Sequence, residues 1–404
     1  MGIFDFLRGG DDQDRFAARV MERLKQLGWP HPLHYDRSQF KLTLGGNGGE
    51  LRLANIFRDW LKFPKSERSA QLDRAIAFVF EMDADDSWEA VRNHLLPLVR
   101  PRAFFENTNL MSGHDWKAGP AFPQKPLAGP LSTVLAIDRP SSMAMVSGTL
   151  LGDWGRSFDE VLEVALGNLR ARSSCQFERQ EEGFYLSGFG DWHDVSRILL
   201  PDLLLQLDVR GDPVAIAIVR EGLAVAGSED IAALNAMAAF AQSTWLEATR
   251  PISRAPLVYR EGSWQPFEPE DPALIELKAQ WVNQRAWDYG QQAEVLEAHF
   301  TAIGLDRFLA PLEIIRDGPH LRTWTSWASD AQASLPKADA VILVQPGGRA
   351  LPRLWKDVET ICGPFQAEGA TYPQRYSGLD WPDAEALERL AAVEAPAWLS
   401  ANLG

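Results

Sequence analysis

Two apolar runs of strand length, Val214–Val219 and Leu223–Ala226, hinged at Glu221-Gly222, constrain the fold more than any other feature of the chain. Runs this short and apolar have the length of strands. A break this brief leaves no room for a crossover helix, so the two strands form a hairpin. Similar candidates flank them at Leu131–Asp138, Met143–Ser147, Cys175–Glu178, Phe184–Ser187, Leu257–Tyr259 and Ser263–Phe267. Helical segments lie between. Ser157-Phe-Asp-Glu160 is a capping box before a stripe of Val161, Leu162, Ala165, Leu166 and Leu169. Ser228 is placed to cap a helix with Ile231, Leu234, Met237 and Ala241 on its inner face. Hairpins mixed with helices predict an α+β fold, with mixed or antiparallel sheets and packed helices, rather than a doubly wound sheet.

At roughly 150 residues per domain, 404 residues predict two or three domains. An N-terminal α+β domain is expected over 1–118. Its first helix, about 14–27, carries Phe16, Val20, Leu24 and Leu27 and ends at Gly28. A strand at Phe40–Leu44, a glycine turn at 45–49, and helices at Leu51–Phe63, Ser66–Met82 and Glu89–Val99 follow. The Gly- and Pro-rich stretch 119–130 reads as a linker or loop without regular structure. A central domain spans 131–268. A C-terminal α+β domain spans 271–404, with Asp271 as N-cap and Pro272 as the first helical residue. Its first helix runs toward Phe300 with a possible break at Gly290. Strands at Leu321–Trp327 and Ala340–Val344 and helices at Leu354–Ile361 and Asp383–Glu394 complete it.

The formal charge of −15 repels phosphate backbones and anionic membrane surfaces, so nucleic acid and membrane are not expected partners. No segment approaches the 18 apolar residues of a membrane span. Two cysteines, Cys175 and Cys362, and no secretory signal fit a reducing cytoplasm.

Motifs for cofactors and metals are not found. Gly45–Gly49 lacks the Lys-Ser/Thr pair of a phosphate loop and reads as a turn. His31, His34 and Asp36 carry ligand chemistry, but Pro30 and Pro32 break any helix that would aim both rings together, so a solvated loop is expected. Asp83, Asp85 and Asp86 lack the glycine and the closing Glu of a calcium loop. Neither cysteine sits in a nucleophile motif. The densest polar cluster is Gly190–Arg197. There Asp191, His193, Asp194 and Arg197 place two carboxylates, an imidazole and a guanidinium in one short segment. Such groups can perform acid–base work. Alternatively, Asp191 or Asp194 caps a helix near His193–Leu200, with Ser196 and Arg197 pointing outward. Fifteen tryptophans spread along the chain. The spacing of Trp324 and Trp327 suits exposure of one ring, which would signal a protein partner.

Leu135-Ala-Ile-Asp138 with Pro140-Ser-Ser-Met143, Trp154-Gly155, Ala165–Leu169, Asp194–Leu199 and Asp212–Val219 occur in an order that resembles the bacterial YtpQ family, a domain of unknown function. Phe16–Trp60 is similar as well. The resemblance covers roughly 16–60 and 131–267 and leaves the region after Asp271 unrecognised. It implies a cytoplasmic bacterial protein of α+β architecture and lends no catalytic residues.

These observations predict a non-enzymatic protein-interaction or adaptor protein. The alternative is a hydrolase or transferase of small molecules with a cleft near Asp191, His193, Asp194 and Arg197. A third reading is an acidic toxin-neutralising or chaperone-like protein with a basic partner.

Overall fold

The computed structural model describes residues 3–46, 49–81, 84–111, 113, 115, 123–174, 176–369, 372–377 and 380–400. It is an α+β protein. The chain divides into two compact units, 1–95 with 136–145, and 96–135 with 146–404.

In the first unit the Ile3–Gln26 helix begins earlier than the apolar stripe indicates and ends before Gly28, whose φ of 94° no L side chain favours. Phe16, Val20 and Leu24 are buried against Leu42, Leu51, Leu72 and Ile76. The expected single strand is part of a three-stranded antiparallel sheet, Leu33–Asp36, Lys41–Leu44 and Glu50–Arg52. His34 and Asp36 therefore belong to a strand rather than a loop. The helix expected over 66–82 is α-helical only over Arg68–Ile76 and tightens to a 3₁₀ turn at Ala77–Glu81.

A helix over Glu89–Val99 does not form. One turn at Trp88–Val91 and a 3₁₀ turn give way to the strand Leu95–Pro101. Pro97 lacks the N–H a helix interior requires, and Leu95–Val99 are buried in sequence as a doubly covered strand would be. The supposed linker also holds structure: Lys125–Ala128 is a strand paired with Leu131–Thr133. Pro126 is tolerated there because the strand lies at the sheet edge.

The centre of the second unit is a six-stranded antiparallel sheet ordered Ser263–Pro266, Pro256–Arg260, Pro213–Val219, Gly222–Gly227, Tyr185–Ser187, Phe177–Arg179. One face packs on the Ile231–Glu247 helix through Leu234, Met237, Ala238 and Ala241. The other packs on Val195, Ile198, Leu203 and Leu169. The Ser157–Glu160 capping box forms with both hydrogen bonds. Two details differ from expectation. Asp230, not Ser228, caps the following helix, because the Ser228 hydroxyl accepts the Asp212 N–H instead. Ile231 is exposed.

Asp271 caps a 3₁₀ turn that opens a 28-residue helix, Ile275–Ala302, continuous through Gly290. Beyond it lie two four-stranded sheets. One orders Glu313–Asp317, His320–Ala328, Ala340–Val344, Ala350–Leu354; the other orders Phe308–Leu309, Ala333–Pro336, Arg375–Ser377, Gln366–Ala367. Helices Trp355–Cys362 and Ala384–Ala392 stand close to their expected positions.

Candidate functional site

Of the four residues singled out by sequence, Asp191 and His193 lie in the bend that follows Tyr185–Ser187, and Asp194 and Arg197 lie in the 3₁₀ helix Asp194–Leu199. The structure brings them together, buries His193, Asp194 and Arg197, and leaves Asp191 part-exposed. Arg197 is fully buried, contrary to the outward orientation expected, and so is Ser196. A 3₁₀ helix repeats every three residues, which puts positions 194 and 197 on one side. Burial of the guanidinium is sustained because its donors are matched. Nη1 and Nη2 each donate to one Asp191 oxygen at 2.6 Å, Nε donates to Ser173 Oγ at 3.0 Å, and Nη2 also reaches the Arg172 carbonyl at 3.4 Å. Its Cζ lies 4.1 Å from the Phe189 ring centroid.

Burial pushes the Asp191 carboxyl up, but the bonds and charge of Arg197, with the His193 N–H at 3.0 Å, hold it below its ordinary value. Asp194 accepts the Phe189 N–H at 2.9 Å and closes the bend. Asp191 and Arg197 form a paired clasp, whereas Asp194 Oδ2 and Ser196 Oγ are buried without a hydrogen-bond partner among the described residues. Cys175 lies outside the described residues, and Cys362 is half-buried at a helix end, where burial raises its thiol.

The aromatic surface is not where sequence placed it. Trp327 is buried and Trp324 half-buried, whereas Trp192 and Trp287 are exposed. Trp192 holds a φ of 66° and lines a hollow of about 500 Å³ with Arg220, Glu221, Glu247 and Arg250. A second cleft, of about 470 Å³, opens in the C-terminal region. Alternation along His320–Ala328 sends Thr323, Thr325 and Trp327 inward. Trp327 then meets Phe365 at 5.6 Å and Trp381 at 5.3 Å, both edge to face. Asp330, Asp380 and Arg307 line the same cleft. Arg307 is already engaged with Glu368 at 2.8 Å, and Glu368 also accepts the Ser334 hydroxyl at 2.6 Å. Neither Asp330 nor Asp380 is in an ion pair among the described residues.

One polar assembly escaped the sequence reading. Gln280, Gln284, Asp288 and Gln292 form a buried stripe on the Ile275–Ala302 helix, continued by Leu296 and Phe300. Gln284 donates to Asp288 at 2.9 Å and accepts the Arg254 N–H at 3.0 Å. Tyr372 links two carboxylates: its N–H donates to Glu106, and its hydroxyl reaches Asp288 at 3.4 Å. Gln292 accepts from Arg375, which also donates to the carbonyls of Ala310 and Ser334. Burial pushes both Glu106 and Asp288 up to about 7. The available signal was the spacing of four between polar residues on one face of the helix.

Compared with known proteins, the chain matches no family model, no curated protein and no solved structure.

Among the described residues, no three His, Cys, Asp or Glu side chains gather as a metal-binding set, and no helix is long and apolar enough to cross a membrane. Chemically, the three assemblies differ. The Asp191–Arg197 clasp has its charges paired, the Glu106–Asp288 network is enclosed, and the Trp327–Trp381 cleft combines a half-buried Trp381, backed by the buried Trp327 and Phe365, with two exposed carboxylates.

Proposed function

We propose that this chain is a non-enzymatic binding protein, an adaptor for a protein partner, working in a bacterial cytoplasm and related to the YtpQ family. The observation that carries this reading is the cleft at Trp327, Phe365 and Trp381, where aromatic area meets two carboxylates without ion-pair partners. Aromatic residues in a partly desolvated recess are the usual anchors of protein interfaces. The exposed Trp192 adds a second aromatic element.

A hydrolase or transferase built on Asp191, His193, Asp194 and Arg197 has less support. Arg197 and Asp191 bind each other, His193 and Asp194 are buried, and none of the four lines either cleft. The acidic charge makes nucleic acid an unfavourable partner and a basic protein a favourable one.

The test is co-purification of the tagged full-length protein from its native cells at low salt, beside a Trp192→Ala/Trp381→Ala variant, with mass spectrometry of everything retained. A stoichiometric protein kept by the parent and lost by the variant is the expected result. A small molecule retained by both, with no protein partner, would overturn the adaptor reading in favour of an enzyme.

A further inference from the structure

The cleft's chemistry narrows what its occupant can be. Trp327, Phe365 and Trp381 belong to one aromatic cluster that continues through Trp355, 4.4 Å from Phe365, to Tyr376, 5.7 Å from Trp355. The Trp355–Tyr376 end of this cluster already holds a cation. Lys337 Nζ lies 4.4 Å from the Trp355 ring centroid and 6.0 Å from that of Tyr376. Ring faces carry negative potential and attract ammonium and guanidinium groups, Trp most strongly. The chain uses the same pairing elsewhere, with Arg68 4.5 Å over Trp60 and Arg254 5.0 Å over Trp245. Among the described residues, no lysine or arginine stands in the same way over the Trp327 or Trp381 ring. Arg307, the cation in the cleft wall, is neutralised by the buried Glu368 at 2.8 Å. Asp330 and Asp380 therefore leave the cleft with an excess of negative charge.

We propose that this cleft receives a lysine or arginine side chain from a basic segment of a protein partner. The proposal rests on the adaptor reading and specifies its site. The cation would sit against the half-buried Trp381, which Trp327 backs, with Asp330 and Asp380 supplying the counter-charge. A polypeptide is the source favoured over a free small cation for two reasons. Ser329, Gln332 and Ser377 also line the cleft and can hydrogen-bond a backbone. The net charge of −15 steers a basic macromolecule at long range.

Isothermal titration of the full-length protein with an acetylated, amidated Gly-Lys repeat peptide tests this. Four comparisons accompany it: the same peptide with every lysine acetylated, a Gly-Glu repeat, spermidine, and an Asp330→Asn/Asp380→Asn variant. Both aspartates are exposed, so the variant retains the fold, which its thermal melt verifies. The lysine peptide is expected to bind, with affinity falling tenfold or more on acetylation or in the double variant, and falling with added salt. Failure of the lysine peptide to bind would overturn the proposal. So would equal binding of the acetylated or Glu peptide, undiminished binding by the variant, or spermidine binding more tightly than the peptide. Co-purification with the Asp330→Asn/Asp380→Asn variant separates the two readings. A cellular partner still held by this variant leaves the adaptor standing while the cationic cleft falls.

Discussion

Arg197 grips Asp191 through both terminal nitrogens, each 2.6 Å from a different carboxylate oxygen, and the two partners are unequally buried. The Arg197 side chain is 0% exposed and that of Asp191 is 34% exposed. This asymmetry sets the outcome of breaking the pair. Asp191→Asn leaves a guanidinium enclosed with its counter-charge gone, and is expected to cost about 3–5 kcal/mol. Arg197→Met leaves a carboxylate that water can reach, and is expected to cost less, about 1–2 kcal/mol. Urea denaturation at pH 7 measures both. A larger loss for Arg197→Met would show that the clasp is not the stabilising element. Because Asp191 is held below its ordinary value in the folded state, its contribution is full above the unfolded value and fades as pH falls through the folded one. Asp191→Asn should lack that acid-side loss.

Glu106 and Asp288 titrate with the opposite sign. Burial pushes each carboxyl up to about 7 in the folded protein, against an unfolded value near 4. The folded state therefore holds protons that the unfolded chain releases. Stability from these groups is full below about pH 4, falls between about 4 and 7, and is lost once pH has passed through about 7. Asp288→Asn keeps the shape and removes the charge, so it should be more stable than the parent at pH 8, by on the order of 1–3 kcal/mol, with the gap closing toward pH 4. Urea midpoints at pH 4.5, 6 and 8 provide the check. A gap that does not change with pH would refute the assignment of a raised carboxyl at Asp288.

The pH behaviour was not legible in the sequence, and the reason is physical. Local patterning reports which residues share a face of one element, so the Ser157–Glu160 capping box, the Val214–Ala226 hairpin and the Asp271-Pro272 helix start could all be read directly. Glu106 and Tyr372 stand 266 residues apart and meet only through tertiary packing. The polar cluster at 190–197 was visible, yet its orientation depended on Ser173 and Arg172, which no local pattern ties to Arg197. The failed helix at Glu89–Val99 had a local signal against it, Pro97, inside the span. The cleft joins residues from 307 to 381, so its tryptophans could be counted in advance but not placed.

Gly227 and Gly290 separate two uses of glycine that the sequence leaves indistinguishable. A Cβ on Gly227 would lie 2.1 Å from the Arg210 carbonyl oxygen and 2.5 Å from its nitrogen, both backbone atoms that cannot swing aside. Gly227→Ala should destabilise by about 3 kcal/mol or more. Gly290 lies inside the Ile275–Ala302 helix with nothing within 4 Å of the same position. Gly290→Ala should stabilise by about 0.5–1 kcal/mol, since alanine loses less backbone freedom in a helix. Urea midpoints measure both, and a loss at Gly290 would mean the helix needs a break there.

Trp192 combines two features that stability alone does not favour. It is 61% exposed, and its φ of 66° lies in the left-handed region that L side chains avoid. An exposed ring buries little, and the backbone conformation costs about 1–2 kcal/mol relative to glycine. Trp192→Gly should therefore raise stability, by about 1 kcal/mol, in urea denaturation. Under the adaptor reading the ring serves a partner that covers it, so the same variant should retain less partner in co-purification. A variant that is more stable and keeps its partner in full would remove Trp192 from the binding surface and leave the C-terminal cleft as the anchor. A variant that is less stable would mean the ring packs on Glu247 and Arg250 across the neighbouring hollow strongly enough to outweigh the backbone strain.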